Sequence, residues 1–437
     1  MAGISDEEFR AKLEAHFAVY RLNLRYPLIA NVVPGAWYRV DLILVNELGL
    51  FRRADMVPDG EVELDCQLLE PAYESLAPLQ QDNQWCITVR PASLWENDRI
   101  EAAQEGTVAG FHGSGKGAFE YMIQAKKGST SSSSLVGGPR YLCVRAARWK
   151  KFASHITDIT ILPLVLGPIQ LDPSLTLDTT TLTQRPTEQW PEFTAMVHQG
   201  YRLFLQDTDN TAGPTNTAIR ANNVVIEESW DAGIPGKIWD SALVMLQLVE
   251  RLVSHQAYKL VNQHVVDLSA GTGLLGLAMA SFCRTQQRYV PCQVTITELD
   301  EALPLIQKNV SLHHTLKENV SVKPLLWGNT EQAKACGKAD IVLASDVLYE
   351  AEFFEDLVKS FVDLSTPHTR IFIGYKRRGF NAAEETRFWD LCSVHFHITQ
   401  LRPPTKTDTD DDDDDDAILV PSLAEATGVQ IYRLSRK

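Results

Sequence analysis

Apolar residues along this chain follow two different spacings, which divide it into two halves. Between about residues 22 and 171, short segments rich in β-branched and aromatic residues alternate with Gly, Pro, Asn and Asp, as is typical of strands joined by turns. Four such segments are WYRVDLILV, EVELDCQLL, QWCITV and RYLCVRAARW. Strands at this spacing favour a β-sandwich or a barrel-like sheet. We predict a β-rich, sandwich-like domain over residues 1–172, led by a short helix that begins at the S-x-x-E capping box of Ser5 and Glu8.

The second half has a different rhythm. Beyond a Thr- and Pro-rich segment at residues 173–192, which we predict to be a linker, strand-like and helix-like segments alternate up to residue 437. The strand-like segments are HVVDL, CQVTITE, VSVKPLL, ADIVLAS, RIFIGY, VHFHITQL and GVQIYRL, and helices are predicted over residues 274–282, 300–313, 350–364 and 382–392. Such alternation predicts a doubly wound α/β sheet over residues 193–437, with its ligand at the carboxyl ends of the strands.

One glycine-rich segment of the first half resembles a phosphate-binding loop. The sequence GFHGSGKG nearly matches G-x-x-x-x-G-K-[ST], but Gly117 replaces the hydroxyl residue that would bind Mg²⁺. Phe119, Tyr121 and Ile123 then recur at a period of two, which predicts a strand where a phosphate loop requires a helix. We predict a hairpin turn at this segment.

Composition and charge narrow the possible partners. Seven cysteines, an odd number without a C-x-x-C pair, argue against a disulfide framework and a structural zinc site, and we expect no metal. The net charge of −15 lacks the basic footprint that nucleic acid requires. The N-terminus shows no signal-peptide pattern, and the most apolar run, at residues 159–171, is too short to span a bilayer. We expect a cytoplasmic or nucleocytoplasmic protein that binds neither nucleic acid nor a membrane.

Eight aspartates are concentrated at Asp408 and in the unbroken run Asp410 to Asp416. This run falls between the last two predicted strands, at the edge of the sheet where a doubly wound fold carries its active site. Two interpretations follow. The run attracts a basic region of a protein substrate, or it is a solvated insertion that binds nothing.

The strand HVVDL leads into a glycine loop. Gly271, Gly273 and Gly276 match G-x-G-x-x-G, and Glu298 ends the next strand, where an acid can accept hydrogen bonds from ribose hydroxyls. Glycines allow close approach of a ligand to the backbone, and the following helix offers free N–H groups and a positive dipole to an anionic group. The loop therefore predicts an adenosine-containing cofactor, either a dinucleotide or S-adenosylmethionine (SAM).

Asp267, at the end of the strand before the loop, separates these two cofactors. A carboxylate at this position attracts the ammonium group of SAM, and it repels the pyrophosphate of a dinucleotide. The acid therefore favours SAM.

Five segments in the same order and spacing carry a family resemblance. From about residue 195 to 437 the chain resembles the seven-strand, Rossmann-like SAM-dependent methyltransferases, and among them the protein-lysine methyltransferases of methyltransferase family 16. The segments are GIPGKIWDSALVML, VVDLSAGTGLLGLAMA, ITELDEALPLIQKNV, LLWGN and ADIVLASDVLYEAEFF. The first 170 residues lie outside the resemblance.

The resemblance implies a site. The implied cofactor-binding residues are Trp239, Asp267, Ser269, Ala270, Gly271, Gly273, Glu298, Leu299, Trp327 and Ser345. Trp327 is expected to lie near the adenine. In the D-x-x-Y signature, Asp346 or its adjoining backbone is expected to hold the incoming amine, and Tyr349 to shape the lysine channel. Since a carboxylate beside an amine stabilises the cation, orientation is expected of Asp346 rather than strong general-base work.

Two positions depart from the family pattern: Ser269 replaces a glycine and Glu298 replaces an aspartate. A serine fits this loop if its φ is negative, and a glutamate reaches about one methylene farther. We therefore expect SAM binding that is weaker or slightly shifted rather than lost.

The sequence predicts a SAM-dependent N-methyltransferase that acts on a lysine of a specific protein partner. Another acceptor, such as a histidine, an N-terminal amine or a small molecule, is the first alternative. A non-catalytic SAM-fold scaffold and an NAD(P)-dependent oxidoreductase are the others. Tyr375, Lys376, Arg377 and Arg378 end the fifth strand of this half, and the three basic residues either face the substrate or lie on a solvated surface.

Overall fold

The structure, a computed structural model, consists of two compact units. It describes residues 19–51, 55–71, 76–79, 85–93, 108–126, 138–152, 159–177, 182, 199–205, 223–285, 292–378, 380–402 and 419–437. The described residues within 18–205 and 209–228 form one unit, and those from Ser229 to Lys437 form the other. The predicted leading helix, most of the predicted linker and the aspartate run lie outside the described residues.

The first unit is built from strands. Its described strands are β1 Val19–Leu24, β2 Asn31–Val32, β3 Trp37–Val45, β4 Met56–Pro71, β5 Leu76–Pro78, β6 Trp85–Pro91, β7 Gly110–His112, β8 Lys116–Ala125, β9 Arg140–Phe152, β10 Thr160–Leu162, β11 Leu164–Leu171, β12 Gln199–Leu205 and β13 Asn223–Ser229. Alternate residues of β3 (Tyr38, Val40, Leu42 and Leu44) are buried in one apolar core, as the period of two along a strand requires.

Hydrogen bonds join these thirteen strands into one sheet, with the main order β10-β1-β3-β8-β7-β4-β9-β11-β12-β13. Only Pro163 separates β10 from β11, although β10 pairs with β1 and β11 pairs with β9 and β12. These two consecutive strands therefore lie near opposite ends of the strand order. The β-rich prediction is confirmed, and the strands form one continuous sheet where a sandwich would have two.

The glycine-rich segment that resembles a phosphate loop is a hairpin, as predicted. Strands β7 and β8 pair in antiparallel fashion, with Gly110 opposite Ala118 and Phe111 opposite Gly117. A Cβ at Gly117 would lie 2.5 Å from the carbonyl oxygen of Gly110, so the close approach of the two strands explains that glycine.

The first unit extends further along the chain than the predicted boundary at residue 193. Strand β12 pairs with β11 through Tyr201 and Val165, and β13 continues the same sheet. Arg202 on β12 and Glu228 on β13 are buried and form an ion pair with 2.7 Å between Nε and Oε2. The Arg202 guanidinium also donates to the backbone carbonyl of Leu22, at 2.8 Å. This long-range pairing fixes the last two strands to the first unit.

The second unit alternates strands and helices. Its described strands are β14 Gln263–Leu268, β15 Cys292–Glu298, β16 Val320–Pro324, β17 Ala339–Ser345, β18 Ser365–Tyr375, β19 Phe396–Leu401 and β20 Gln430–Arg436. Its described helices are α1 Asp240–His255, α2 Leu274–Thr285, α3 Leu303–Ser311, α4 Thr330–Cys336, α5 Phe354–Leu364, α6 Ala382–His395 and α7 Leu423–Thr427. None of the described helices is long and apolar enough to cross a membrane.

These seven strands form the predicted α/β sheet, in the order β16-β15-β14-β17-β18-β20-β19. The five strands from β16 to β18 are parallel, and β20 lies antiparallel between β18 and β19. Central strands β14 and β17 each have a buried apolar centre, VV in β14 and IVLA in β17, because parallel strands are covered on both faces. Strand order reverses at β14, so its carboxyl end is the point where a ligand of such a sheet binds.

The four predicted helices of this unit are confirmed as α2, α3, α5 and α6, with ends displaced by up to four residues. Helix α3 is shorter than predicted because residues 301–302 form a turn and the helix begins at Leu303, with a proline in its first turn. Three helices were not predicted, namely α1, α4 and α7.

We expect the buried Arg202–Glu228 pair to be a large term in the stability of the first unit. Removing one partner leaves an uncompensated buried charge, so Arg202→Ala should lower the free energy of unfolding by about 3–5 kcal/mol, measured by urea titration. Arg148→Ala is the matched control, because Arg148 pairs with Glu63 on the surface and is 79% exposed. Its cost should stay below about 1 kcal/mol, and equal effects of the two variants would contradict the prediction.

Candidate active site

A cavity of about 290 Å³ opens at the carboxyl ends of β14, β15 and β17. Ten of the twelve predicted site residues line it: Trp239, Asp267, Ser269, Ala270, Gly271, Glu298, Leu299, Ser345, Asp346 and Tyr349. The two that do not line it are Gly273 and Trp327. The cavity also exposes side chains that were not predicted, among them Ile234, Lys237 and Glu301.

The glycine loop between β14 and α2 is a tight turn with three residues at positive φ: Ser269 at 57°, Gly271 at 57° and Gly273 at 83°. Within it, the Ala270 N–H donates to the Thr297 carbonyl at 3.0 Å, and the Gly273 N–H donates to the Ala270 carbonyl at 2.9 Å. The condition on which a serine would fit this loop without strain, a negative φ, is therefore not met. The turn requires a left-handed residue there, at a cost of roughly 1–2 kcal/mol for a side chain other than glycine.

Ser269 and Trp327 are joined by a hydrogen bond. The Trp327 indole Nε1–H donates to the Ser269 hydroxyl at 2.7 Å, and the Trp327 ring packs on Tyr349 with 5.8 Å between ring centroids. Trp327 was expected to line the cofactor pocket. The structure instead places it behind the lining, where it supports one loop residue and one acceptor-side residue. Its partner is a long-range neighbour that no local pattern marks.

Gly276 fits the close packing of α2 against the sheet. A Cβ at this position would lie 2.6 Å from Cγ1 of Ile296 and 3.2 Å from Oδ2 of Asp267. Its N–H donates to Oδ2 of Asp267 at 2.7 Å. The last glycine of the motif thus packs the helix and holds the carboxylate at the same time.

Asp267 is a buried acid on the cavity wall, with 1% of its surface exposed. Burial raises the pKa of Asp267 to about 7, helped by the charge of Glu298 and opposed by the hydrogen bond from Gly276. Among the described residues, no cationic side chain pairs with it. A ligand cation would supply that missing charge.

Glu298 turns its carboxylate back onto the loop. Its two oxygens accept from the N–H groups of Gly271 at 3.0 Å and Leu299 at 2.9 Å. Burial raises the pKa of Glu298, while these two hydrogen bonds lower it. The longer side chain in place of aspartate therefore braces the glycine loop and still lines the cavity.

These residues fit SAM better than a dinucleotide. Two carboxylates line the cavity near the loop, so a pyrophosphate would be repelled and an ammonium group attracted. The buried hydroxyl of Ser345 belongs to a lining residue and has no hydrogen-bond partner among the residues that the structure describes. An unsatisfied buried polar atom on a cavity wall is a position for a polar ligand group. The NAD(P) alternative is set aside on these grounds.

Asp346 directly follows β17 and lines the same cavity as the cofactor residues. Its φ is 57°, and its N–H donates to the Gly374 carbonyl at 2.7 Å, which ties the end of β17 to β18. Its Oδ1 accepts from the Ser241 hydroxyl at 3.1 Å, and its Oδ2 accepts from Arg378 at 2.6 Å (Nη2) and 3.0 Å (Nε). The carboxylate is therefore fixed from two elements.

The basic residues after β18 occupy neither of the two expected places. Lys376 and Arg377 are buried, and each faces an acid on a helix: Lys376 faces Asp240 at 3.6 Å, and Arg377 faces Glu385 at 3.4 Å. Arg378 binds Asp346. Three consecutive cations at a strand end thus meet three carboxylates on different elements, and two of these carboxylates are distant in sequence. Neither Arg378 nor Ser241 was predicted as a site residue, because those partners appear only after folding.

We expect SAM affinity to depend on the ionisation of Asp267. Because the ammonium group of SAM favours the carboxylate, and the pKa of Asp267 is about 7 in the free protein, affinity should fall by about tenfold per pH unit below pH 7. Calorimetry between pH 5.5 and 8 measures this, and Asp267→Asn should weaken binding at pH 8 and flatten the dependence. An unchanged pH dependence in the variant would contradict the assignment.

The same substitution should have the opposite effect on stability. At pH 8, Asp267→Asn weakens SAM binding but should stabilise the protein without cofactor. A carboxyl whose pKa is raised on folding contributes stability that is complete below its ordinary pKa and is lost as pH rises through about 7. Asp267→Asn removes that loss, so its melting temperature should exceed that of the natural protein at pH 8 and not at pH 4.

Substitutions at Ser269 should separate backbone strain from the hydrogen bond to Trp327. Ser269→Gly relieves the positive φ but loses the hydroxyl, worth about 1 kcal/mol, so SAM binding should be preserved or tighter. Ser269→Ala keeps the strain and loses the hydrogen bond, so it should bind SAM several-fold more weakly. Calorimetry at one pH compares the two, and weaker binding by the glycine variant than by the alanine variant would contradict this account.

Comparison with known proteins places the chain. A family described as lysine methyltransferase matches residues 219–394. The structure of the mitomycin 7-O-methyltransferase MmcR aligns with 45% of this chain and 56% of that chain, at 13% identity and a TM-score of 0.31. The protein N-lysine methyltransferase METTL21A of Xenopus tropicalis is 30% identical over 195 residues, which cover 43% of this chain and 80% of that protein. The EEF1A lysine methyltransferase 3 of Mus musculus is 32% identical over 199 residues, which cover 45% of this chain and 78% of that protein. Given the match to these two relatives, the chain belongs to the lysine methyltransferase family and is a SAM-dependent methyltransferase.

Proposed function

We propose that this protein transfers the methyl group of SAM to the ε-amine of a lysine in a specific protein partner. One observation carries the proposal. Asp346, Tyr349 and Trp239 line the same cavity as the cofactor residues Asp267 and Glu298. A side chain entering past the first three would therefore meet the cofactor held by the other two.

The residues around the glycine loop have the task of holding SAM. Asp267 would pair with its ammonium group, Glu298 would accept from the ribose hydroxyls, and the N-terminus of α2 would face its carboxylate. When bound, SAM supplies an electrophilic methyl group on a sulfonium. Asp267 and Glu298 are both anchored by backbone N–H groups, so they can orient the cofactor without moving.

The acceptor residues have the task of positioning an amine. Displacement at a methyl group needs an aligned, uncharged nucleophile, so most of the rate enhancement comes from proximity and orientation. Trp239 and Tyr349 offer aromatic walls to the lysine methylenes, and Asp346 directs the nitrogen. Burial raises the pKa of Tyr349, so its phenol stays protonated at neutral pH, and its oxygen can accept a hydrogen bond from the amine N–H while the nitrogen lone pair stays free.

The rim of the cavity supports a protein as the acceptor. Ile234 and Leu299 line the cavity and yet are 56% and 38% exposed, so they offer apolar contact at its mouth. Glu301, also on the lining, is exposed and carries a negative charge. A lysine with an apolar and a basic neighbour fits such a rim. The names of the two relatives specify protein lysines as their acceptors, and we extend the acceptor class to this chain.

A transfer experiment tests the proposal. Labelled SAM and the full-length protein are incubated with a methylation-poor lysate, and the labelled product is identified by mass spectrometry. We expect label on lysine in one or a few proteins. Asp346→Ala should lower transfer about a hundredfold by misplacing the amine, while Asp390→Ala, at an exposed position of α6, should leave it unchanged.

Three outcomes would overturn the proposal. Label on histidine, on an N-terminal amine or on a small molecule would assign another acceptor. SAM binding without any transfer would assign a scaffold. Transfer that survives Asp346→Ala unaltered would place the active site elsewhere.

A further inference from the structure

Arg378 neutralises the carboxylate at the acceptor end of the cavity. Two nitrogens of its guanidinium donate to the same oxygen of Asp346, Oδ2, at 2.6 Å from Nη2 and 3.0 Å from Nε. Both side chains are largely buried, at 18% and 8% exposure, so solvent screens the pair only weakly. Two charge-assisted hydrogen bonds to one oxygen hold the carboxylate in place as well as neutralising it.

The same guanidinium lies over a second acceptor residue. The Arg378 guanidinium carbon is 4.8 Å from the centroid of the Trp239 ring, and Lys237 Nζ is 5.5 Å from that centroid. Asp346, Trp239 and Lys237 line the cavity, whereas Arg378 is not among the described residues that do. Arg378 therefore contacts two acceptor residues from behind the lining and leaves the cavity side of each open.

The other charged groups near Asp346 are already balanced. Lys376 faces Asp240, and Arg377 faces Glu385. From α1, Ser241 offers a neutral hydroxyl to Asp346, and on the cavity side Tyr349 is a neutral phenol. Asp267, Glu298 and Glu301 are the other acids that line the cavity, and backbone N–H groups bind the first two. Arg378 is thus the cation that decides how much negative charge Asp346 presents to an amine.

A methyl acceptor must be uncharged, and a free carboxylate beside it works against that requirement. An unpaired Asp346 would stabilise the ammonium form and hold back the nucleophile. The Arg378 guanidinium on Asp346 offsets this attraction, and a second cation, Lys237, also lines the cavity. The Asp346 oxygens still accept a hydrogen bond from the neutral N–H of an amine.

We propose that Arg378 is a positioning residue that fixes the Asp346 carboxylate and makes the acceptor end of the cavity favour an uncharged lysine amine over its ammonium form. The proton that the amine loses goes to water before the amine enters. This inference rests on the proposed lysine acceptor and adds the residue that selects its protonation state.

A binding experiment with n-butylamine tests this without knowledge of the protein substrate. The full-length protein is saturated with S-adenosylhomocysteine, and n-butylamine affinity is measured by calorimetry from pH 7 to 9.5. This window lies below the amine's pKa of about 10.4, taken from lysine. We expect affinity for total amine to rise about tenfold per pH unit in the natural protein, because only the neutral form binds well.

Substitutions assign that slope to Arg378. Arg378→Gln should flatten it, because the exposed Asp346 charge then accepts the ammonium form, and Arg378→Lys should restore most of it. Arg387→Gln is the matched control, since Arg387 pairs with Glu355 on the surface. It should keep the natural slope. Melting temperature and S-adenosylhomocysteine affinity report whether each variant is folded.

The outcomes separate the two proposals. Equal slopes in the natural protein and in a folded Arg378→Gln variant would overturn the role of Arg378 and leave the lysine acceptor standing. If Arg378→Gln does not fold, folded Arg378→Lys must still show most of the natural slope, and a flat slope in that variant or in the natural protein overturns the proposal. No butylamine binding by any folded variant that still binds S-adenosylhomocysteine would overturn the amine site itself.

Discussion

The site of the second unit is built around the buried carboxylate of Asp267. Burying this charge is unfavourable, because no cationic side chain among the described residues pairs with it. The sheet reverses its order at β14, so the end of that strand is the one position from which the loop can reach both neighbouring strands. Asp267 is held there by the Gly276 N–H, and Gly276 can lie so close only because it has no side chain. Loop, helix and neighbouring acid are arranged around a charge that the protein leaves for its cofactor to complete.

Much of the fold could be predicted because its signals are local. Apolar runs at β14 and β17 and the helical period of α5 depend on residues within a few turns of each other, and each was found with small errors at its ends. The site residues that share the cavity follow from the same logic, since the carboxyl ends of parallel strands meet at one edge. The glycine loop needed only that rule and its motif, whereas Asp346 was predicted from the family resemblance.

What could not be predicted depends on partners that folding brings together. The positive φ of Ser269 is set by the turn as a whole, although serine ordinarily avoids it. Trp327 was expected to line the cavity, but in the structure it contacts Ser269 and Tyr349, which do line it. In the sequence, Arg378 follows two other basic residues, and no local pattern distinguishes it from them. Only the structure shows that each finds a different carboxylate, and that the carboxylate of Arg378 belongs to the site.

The buried pair between β12 and β13 bears on how the chain can be divided for experiment. A cut at residue 193, where the composition changes, would remove both strands from the sheet of the first unit. The backbone carbonyl of Leu22 would then lose the hydrogen bond from the Arg202 guanidinium. A fragment that begins at Ser229 instead leaves Arg202 and Glu228 together on the other fragment. The family match begins at residue 219, within the first unit, whereas the second unit begins at Ser229. The start of sequence similarity is therefore not the place to cut the chain for a catalytic fragment.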